Sequence, residues 1–433
     1  MAKLTRRRFF IGCSTTMAAL AGARITPLAL AAPEMFSGTA TDSDIFVLIF
    51  LRGGVDGLNL IVPYGDANYA LNRPNIRIRP PGQTRGALDL NGFFGLHPAA
   101  TRLHELYNGG ALAIVNAAGL TDSTRSHFDA MAMLERGTPG NTTTTTGWLT
   151  RHLASVTGIA GTDIPVIAAQ SASPDSLLGY TNTAAISTLS GLEYSGKWDQ
   201  VDFQRLALRT MYTGAGWLYQ AGIQALDVSD RIALANLGSY APEFGAVYPG
   251  GSFGDSLKLI AQMIKQGLGV RLVTVDLGGW DTHQDQGNDG QGYFAALVTT
   301  LSQGLHACYT DLTNYANRMT WVVMTEFGRR LAQNDSGGTD HGHGGVMLVL
   351  GGNVNKGIYG QWPGLATDAL DERRDLAITT DYRRVLSEIV VRRLKNPHLS
   401  VVFPGFTGYQ PLNVVKGTDA GLQHKTHLPM LTR

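Results

Sequence analysis

Residues 320–352 read TWVVMTEFGRRLAQNDSGGTDHGHGGVMLVLGG. Two Val-rich apolar runs, 321–324 and 346–350, bracket a polar loop that carries Glu326, Arg329, Arg330, Asp340, His341 and His343. Short apolar runs bounded by glycine fit strands buried on both faces. The polar residues then lie where one strand ends and just before the next begins. In open α/β sheets ligands bind outside the carboxyl ends of the strands. Asp340-His341-Gly342-His343-Gly344-Gly345 gathers a carboxylate and two imidazoles among glycines that permit tight turns. Packing a core has no use for that composition, so the stretch points to function.

The same arrangement, an apolar run ending in a polar turn, recurs along the chain. Residues 45–51 (IFVLIFL) lead into Arg52-Gly53-Gly54-Val55-Asp56-Gly57. Asp56 there reads equally as a delivered carboxylate or as part of an Asp-Gly turn. Residues 270–277 (VRLVTVDL) lead into Gly278-Gly279-Trp280-Asp281-Thr282-His283. After 111–117 comes a turn with Arg125, Ser126 and His127, followed by a helical pattern over 129–135. Ser126 and His127 therefore sit near a helix N-terminus. A hydroxyl there caps the helix, which is the plainer reading, or the backbone N–H groups favour an anion.

Residues 164–169 supply a further strand. Helical patterns at 99–107, 253–266, 293–315 and 380–394 alternate with the strands. Residues 198–223 and 227–237 also look helical and are read as an insertion within about 171–250. Residues 64–90, rich in Arg, Pro and Asn, read as surface loop. The expectation is one α/β domain over 44–433. Its mainly parallel sheet includes 45–51, 111–117, 164–169, 270–277, 320–325 and 345–350.

With 433 residues, 44% of them hydrophobic and 16% charged, the chain can bury a large core. A net charge of +1 gives no reason to expect a nucleic-acid partner. Thr5-Arg6-Arg7-Arg8-Phe9-Phe10 has the twin-arginine pattern, followed by an apolar run that ends near Ala29-Leu30-Ala31, with small residues where signal peptidase cuts. Residues 1–31 are read as a signal peptide and 32–43 as a linker, with export by the twin-arginine translocase to the periplasm or beyond. An uncleaved anchor fits less well, because Gly, Thr and Arg24 interrupt the apolar run. Cleavage removes Lys3, Arg6, Arg7, Arg8 and Arg24 and leaves a net charge of −4. It also leaves Cys308 as the only cysteine, so no intramolecular disulfide forms.

Asp56, Asp281, His283, Glu326, Asp340, His341 and His343 at one edge of one sheet would repel or stay unpaired unless a cation holds them. A mixed His/Asp/Glu shell suits zinc, manganese or iron better than magnesium or calcium. The ligand count fits one or two ions. The alternative is a polar hydrogen-bonded cluster without metal.

LRGGVDGLN, RSHFDAM, GGWDTH, TEFGRR and GTDHGHGGVMLVLGG follow the twin-arginine segment in this order. Together they resemble the family known as domain of unknown function 1501, grouped with the alkaline phosphatase and sulfatase superfamily. The resemblance implies a three-layer α/β/α, alkaline-phosphatase-like core and metal-dependent hydrolysis. By position, Asp56 resembles the first metal-binding Asp and Ser126 the nucleophile. Asp281 and His283 resemble one ligand pair, and His341 and His343 the last ligands. The chain departs from the superfamily in three places. One residue rather than three separates Asp281 from His283, Phe327 follows Glu326 where an Asp-His doublet is expected, and no Cys-X-Pro-X-Arg sulfatase signature is present.

The resulting expectation is an exported hydrolase of phosphate or sulfate esters, acting on a small molecule or glycan with zinc or manganese. Ser126 or a metal-bound water is the nucleophile, Arg329 or Arg125 holds the anion, and His127 supports a ligand or acts as general acid. The alternative from another class is a non-catalytic metal- or glycan-binding or assembly partner on the same fold.

Overall fold

The computed structural model describes residues 44–156, 166–180, 183–186, 201–214, 216–234, 240–419 and 421–422. The expected signal peptide and linker lie outside the described residues, as do 187–200 and 235–239 of the expected insertion.

The chain begins its fold with β1 (Ile45–Leu51), every residue of which is buried. Pleating sends Ile45, Val47, Ile49 and Leu51 to one core cluster and Phe46, Leu48 and Phe50 to another. A strand covered on both faces reads as an unbroken apolar run, which is why its sequence shows no alternation. Short strands β2 (Ile61–Val62), β3 (Leu88–Asp89) and β4 (Gly95–Leu96) form a small separate sheet. The main sheet continues with β5 (Leu112–Gly119), β6 (Val166–Ala168), β7 (Ala184–Ala185), β8 (Leu272–Leu277), β9 (Met319–Met324), β10 (Gly345–Leu350), β11 (Gly357–Tyr359) and β12 (Thr380–Asp381). Its order is β11-β5-β10-β9-β1-β8-β6-β7, with β12 also paired to β5.

One core cluster packs the helices Thr101–Asn108, Ser252–Lys265 and Tyr293–Asp311 against the first face. The other packs His127–Arg136, Trp148–Ser155 and Tyr382–Arg392 against the second. Helix, sheet and helix make the three layers expected. Trp148 shows how the second face is filled: its ring meets Phe46 edge-on at 5.7 Å and stacks on Phe403 at 5.5 Å.

All six expected strands are present in the one sheet, and the sheet is mainly parallel. The exception is β10, which runs antiparallel to both its neighbours, β9 and β5. Both ends of the loop between β9 and β10 therefore lie at the carboxyl edge of the parallel strands, beside the ends of β1, β5 and β8.

The stretch 64–90 differs from the surface loop expected. It contains the helix Ala67–Asn72, and Tyr69, Arg73, Ile76 and Ile78 are buried. Arg73 is an Arg in the interior because a buried carboxylate awaits it there. Among the described residues no helix is long and apolar enough to cross a membrane.

His97 and His152 lie in the core, and burial pushes both down to about 4. Both rings are neutral in the fold, whereas an unfolded histidine takes a proton near its ordinary value of 6.5. Stability therefore falls as pH drops from about 6.5 toward 4, by about 2 kcal/mol per histidine at about pH 5. Urea unfolding at about pH 7.5 and about pH 5 measures this loss. His152→Gln, which keeps an acceptor for Asn396, makes the decline shallower.

Candidate metal centre

Four turns at the carboxyl edge of the sheet supply the centre. The turn after β5 ends in the helix His127–Arg136, for which Ser126 is the N-cap. That helix stops at Gly137, whose φ of +69° a side chain would resist and whose added Cβ would lie 2.9 Å from Phe403. Its first residue, His127, turns inward, and its Nδ1 lies 2.7 Å from Oε1 of Glu326, just beyond β9. Glu326 is fully buried, and its Oε1 also accepts the Gly53 N–H at 2.7 Å. Burial alone would raise the pKa of this carboxyl. The bonds from His127, Gly53 and Thr325 outweigh burial and hold its pKa below the usual value. In return the Glu326 hydrogen bond raises the pKa of His127 and makes the ring more basic.

A carboxylate only accepts, so Nδ1 of His127 carries the proton and Nε2 of the neutral ring is a bare lone pair. That Nε2 is buried without a hydrogen-bond partner and lies 3.5 Å from Oδ2 of Asp281. His341 repeats the arrangement. Its Nδ1 is 2.9 Å from the Arg125 carbonyl, which also only accepts. Its Nε2 lies 3.2 Å from Oδ1 of Asp281 and 2.9 Å from Nε2 of His283. Burial lowers the pKa of His341, which favours the neutral ring. His283 is the third case, with Nδ1 3.5 Å from Asp340 Oδ1 and Nε2 3.1 Å from Asp281 Oδ1.

Three imidazole Nε2 atoms thus converge on one carboxylate. Lone pairs facing each other at such distances are repulsive unless a proton or cation lies among them. Tetrahedral ligation with bonds of about 2.0–2.1 Å sets neighbouring ligand atoms about 3.3 Å apart. Among Asp281 Oδ1 and the Nε2 atoms of His283 and His341 the spacings are 2.9, 3.1 and 3.2 Å, close to that value, and His127 Nε2 lies 3.5 Å from the other Asp281 oxygen. Orienting each metal-binding ring through its other nitrogen is the usual way such sites are built. The donors present fit a divalent ion of the zinc type, and one potential ligand atom from each of His127, Asp281 and His341 lies within 4.8 Å of the other two.

The Asp281 turn is held from behind. Trp280 is fully buried with its ring edge-on to Phe294 at 5.6 Å. Gly53, at φ +122°, lets the β1 turn approach so closely that a Cβ would sit 2.4 Å from the Asp281 nitrogen. Buried Arg329 donates to the Gly54 carbonyl at 2.6 Å, to the Thr339 carbonyl at 2.9 Å, and to Gly53, Trp280 and Asp281. Burial opposes the charge on Asp281, but Arg329 and the neighbouring histidines outweigh it and keep the pKa low. Asp281 and His283 are 47% and 42% exposed, so solvent reaches the centre from their side.

The residues expected at the site take several places. His127, Asp281 and His341 come together, His283 joins them through Asp281 and His341, and Glu326 and Asp340 lie behind His127 and His283. Asp56 is not brought into this group. It is fully buried and bonded to Arg73 at 2.6 Å and Gln286 at 2.7 Å. His343 also stands apart, with Nδ1 2.9 Å from Asp371 and Nε2 3.1 Å from the Asp122 carbonyl. Ser126 is exposed, and its Oγ accepts the Asp129 N–H at 3.5 Å in the capping manner. Arg329 turns its guanidinium to backbone carbonyls and Asp281, and Arg125 pairs with Asp375 and Glu372. His127, read from the sequence as a supporting or general-acid group, packs against His341 with ring centroids 4.3 Å apart and lies 3.5 Å from Asp281. Arg73 and Gln286 left no mark in the sequence, since neither stands in a recognisable pattern.

The model of one protein family, described as a protein of unknown function (DUF1501), matches residues 111–389, more than half of the chain. The chain belongs to that family. No curated protein matches it. Solved structures similar to this DUF1501 member include a protein in the alkaline phosphatase superfamily from Vibrio parahaemolyticus, at 8% identity and a TM-score of 0.32, covering 82% of this chain and 71% of that one. A sulfatase from Pseudoalteromonas sp. is similar at 9% identity and a TM-score of 0.33, covering 80% and 68%. The lipoteichoic acid synthase LtaP from Listeria monocytogenes is similar at 10% identity and a TM-score of 0.32, covering 94% and 80%.

Metal content of purified variants tests this geometry. His341→Ala and His127→Ala are expected to lose bound zinc, and Glu326→Gln to weaken zinc binding by about 10- to 100-fold. Ser126→Ala is expected to keep it. Retention of zinc at wild-type affinity by both histidine variants would show that the ion, if bound, sits elsewhere.

Proposed function

We propose that the protein binds one divalent cation, zinc or manganese, through His127, Asp281, His283 and His341, and hydrolyses phosphate or sulfate esters at that point. The carrying observation is the convergence of three Nε2 atoms, each ring oriented through its other nitrogen, on the Asp281 carboxylate. A bound divalent ion supplies Lewis acidity to a phosphoryl or sulfuryl oxygen. The residues of the chain do the rest. Glu326, Asp340 and the Arg125 carbonyl orient the imidazoles, and Arg329 keeps Asp281 ionised. The half-exposed side formed by Asp281 and His283 admits a small-molecule or glycan ester. The N-terminus of the helix His127–Arg136 favours an anionic group through its free N–H groups. Ser126, exposed and next to His127 in the chain, is the hydroxyl that takes the transferred group in this reading; direct attack by water is the other route. The twin-arginine pattern supports action in the periplasm or outside the cell.

A second reading, a non-catalytic metal- or glycan-binding or assembly partner, is favoured by one observation. Ser126 caps its helix, and the two arginines expected to hold an anion are turned to protein carbonyls and carboxylates.

The test is a panel of chromogenic phosphate and sulfate esters with metal-replete wild type, Ser126→Ala and His341→Ala. Ester hydrolysis is expected in wild type and lost in His341→Ala. Loss in Ser126→Ala with metal retained assigns the hydroxyl as nucleophile, and full activity there assigns water. A metal-bound wild type inactive on every ester overturns the hydrolase reading in favour of the binding one.

A further inference from the structure

Asp56 is a buried carboxylate at the end of β1 that the metal centre does not use. Its Oδ2 accepts from Arg73 Nη1 at 2.6 Å and from Gln286 Nε2 at 2.7 Å. Arg73 is itself fully buried and also donates to Asn59 at 2.8 Å and to the carbonyls of Leu331 and Arg330 at 2.8 Å each. Arg73 already neutralises the charge that would attract a cation to Asp56.

The consequence lies in the amide of Gln286. A carboxylate accepts and never donates, so the amide must turn its NH₂ to Asp56 and its carbonyl the opposite way. That carbonyl accepts from Thr282 Oγ1 at 2.9 Å and lies 3.4 Å from Thr339 Oγ1. Thr282 stands between Asp281 and His283, and Thr339 stands two residues before His341. The Thr339 N–H also donates to the Thr282 carbonyl at 3.1 Å. Gln286, Thr282 and Thr339 are all buried. Away from water such bonds are strong when made and costly when left unmade.

We propose that Asp56 and Gln286 are positioning residues. Asp56, neutralised by Arg73, fixes the Gln286 amide, and that amide sets the Asp281–His283 turn against the His341 loop through Thr282 and Thr339. The proposal rests on the reading of His127, Asp281, His283 and His341 as a metal centre, and it gives Asp56 a part other than ligand.

Zinc affinity by chelator competition and the visible spectrum of the cobalt(II)-substituted protein test it, together with amide hydrogen exchange of the metal-free full chain. The variants are Gln286→Met, Thr282→Val and Thr282→Ser. Gln286→Met and Thr282→Val are expected to bind zinc about tenfold or more weakly, with an altered cobalt spectrum and faster exchange over 281–286 and 339–341. Thr282→Ser, which keeps the hydroxyl, is expected to restore affinity and spectrum. Folded Gln286→Met and Thr282→Val with wild-type affinity, spectrum and exchange would overturn the proposal. If Gln286→Met fails to fold, the near-isosteric Thr282→Val decides alone. Absence of zinc binding by the wild type is a separate result that defeats the metal centre itself.

Discussion

The reversed direction of β10 is the constraint on which the site depends. In a sheet of strictly parallel strands, a residue just after one strand and a residue just before the next lie at opposite edges, a strand length apart. Here β10 runs antiparallel to β9 and β5. The loop that leaves β9 with Glu326 therefore comes back to the same edge with Asp340 and His341. The Gly328 N–H bonded to the His343 carbonyl at 2.9 Å, and the Arg330 N–H bonded to the Asp340 carbonyl at 3.0 Å, fasten the two limbs of that loop. Only then can Glu326 orient His127 while His341 faces Asp281.

Buried charged groups paired with partners do much of the remaining organisation. Glu326 accepts from His127 and a backbone N–H, Arg329 bridges the turns that follow β1 and β8 to the β9–β10 loop, and Arg73 neutralises Asp56. A buried charge left alone costs several kcal/mol, so such groups fix one arrangement of their loops and penalise others. The three layers of apolar side chains bring the strand ends together. The polar bonds then decide which way each turn faces.

This division of labour bears on what the site can do. The imidazoles are held from the protein side by groups that accept from Nδ1, while Asp281 and His283 keep solvent access. A cluster of imidazoles around one carboxylate, open on one side, would suit an ion that must meet a substrate. The same openness, with Ser126 committed to a helix cap and both nearby arginines paired within the protein, also suits an ion that only holds something. The two readings part at Ser126 and at what reaches the open side, since both use the same imidazoles and carboxylate.

The sequence by itself determined the six principal strands, and the family resemblance carried by its motifs implied the three layers. Short unbroken apolar runs such as 45–51, bounded by glycine, fit strands covered on both sides, and Asp-His-Gly-His among glycines has no role in a core. It also set Asp281, His283 and His341, together with Asp56, Glu326, Asp340 and His343, at polar turns beside buried strands. Only the tertiary structure decided the rest. Strand direction depends on pairing partners distant in the chain, and nothing local marks β10 as reversed. Asp56 and Asp281 look alike in sequence, each a carboxylate in a glycine-rich turn after a strand. Arg73, arriving from a stretch that reads as surface, neutralises one of them, while three histidine nitrogens surround the other. His127 lies beside a residue that caps a helix, and its importance rests on Glu326, 199 positions away. Charge neutralisation and hydrogen-bond direction act through space, so no pattern of spacing along the chain could have assigned them.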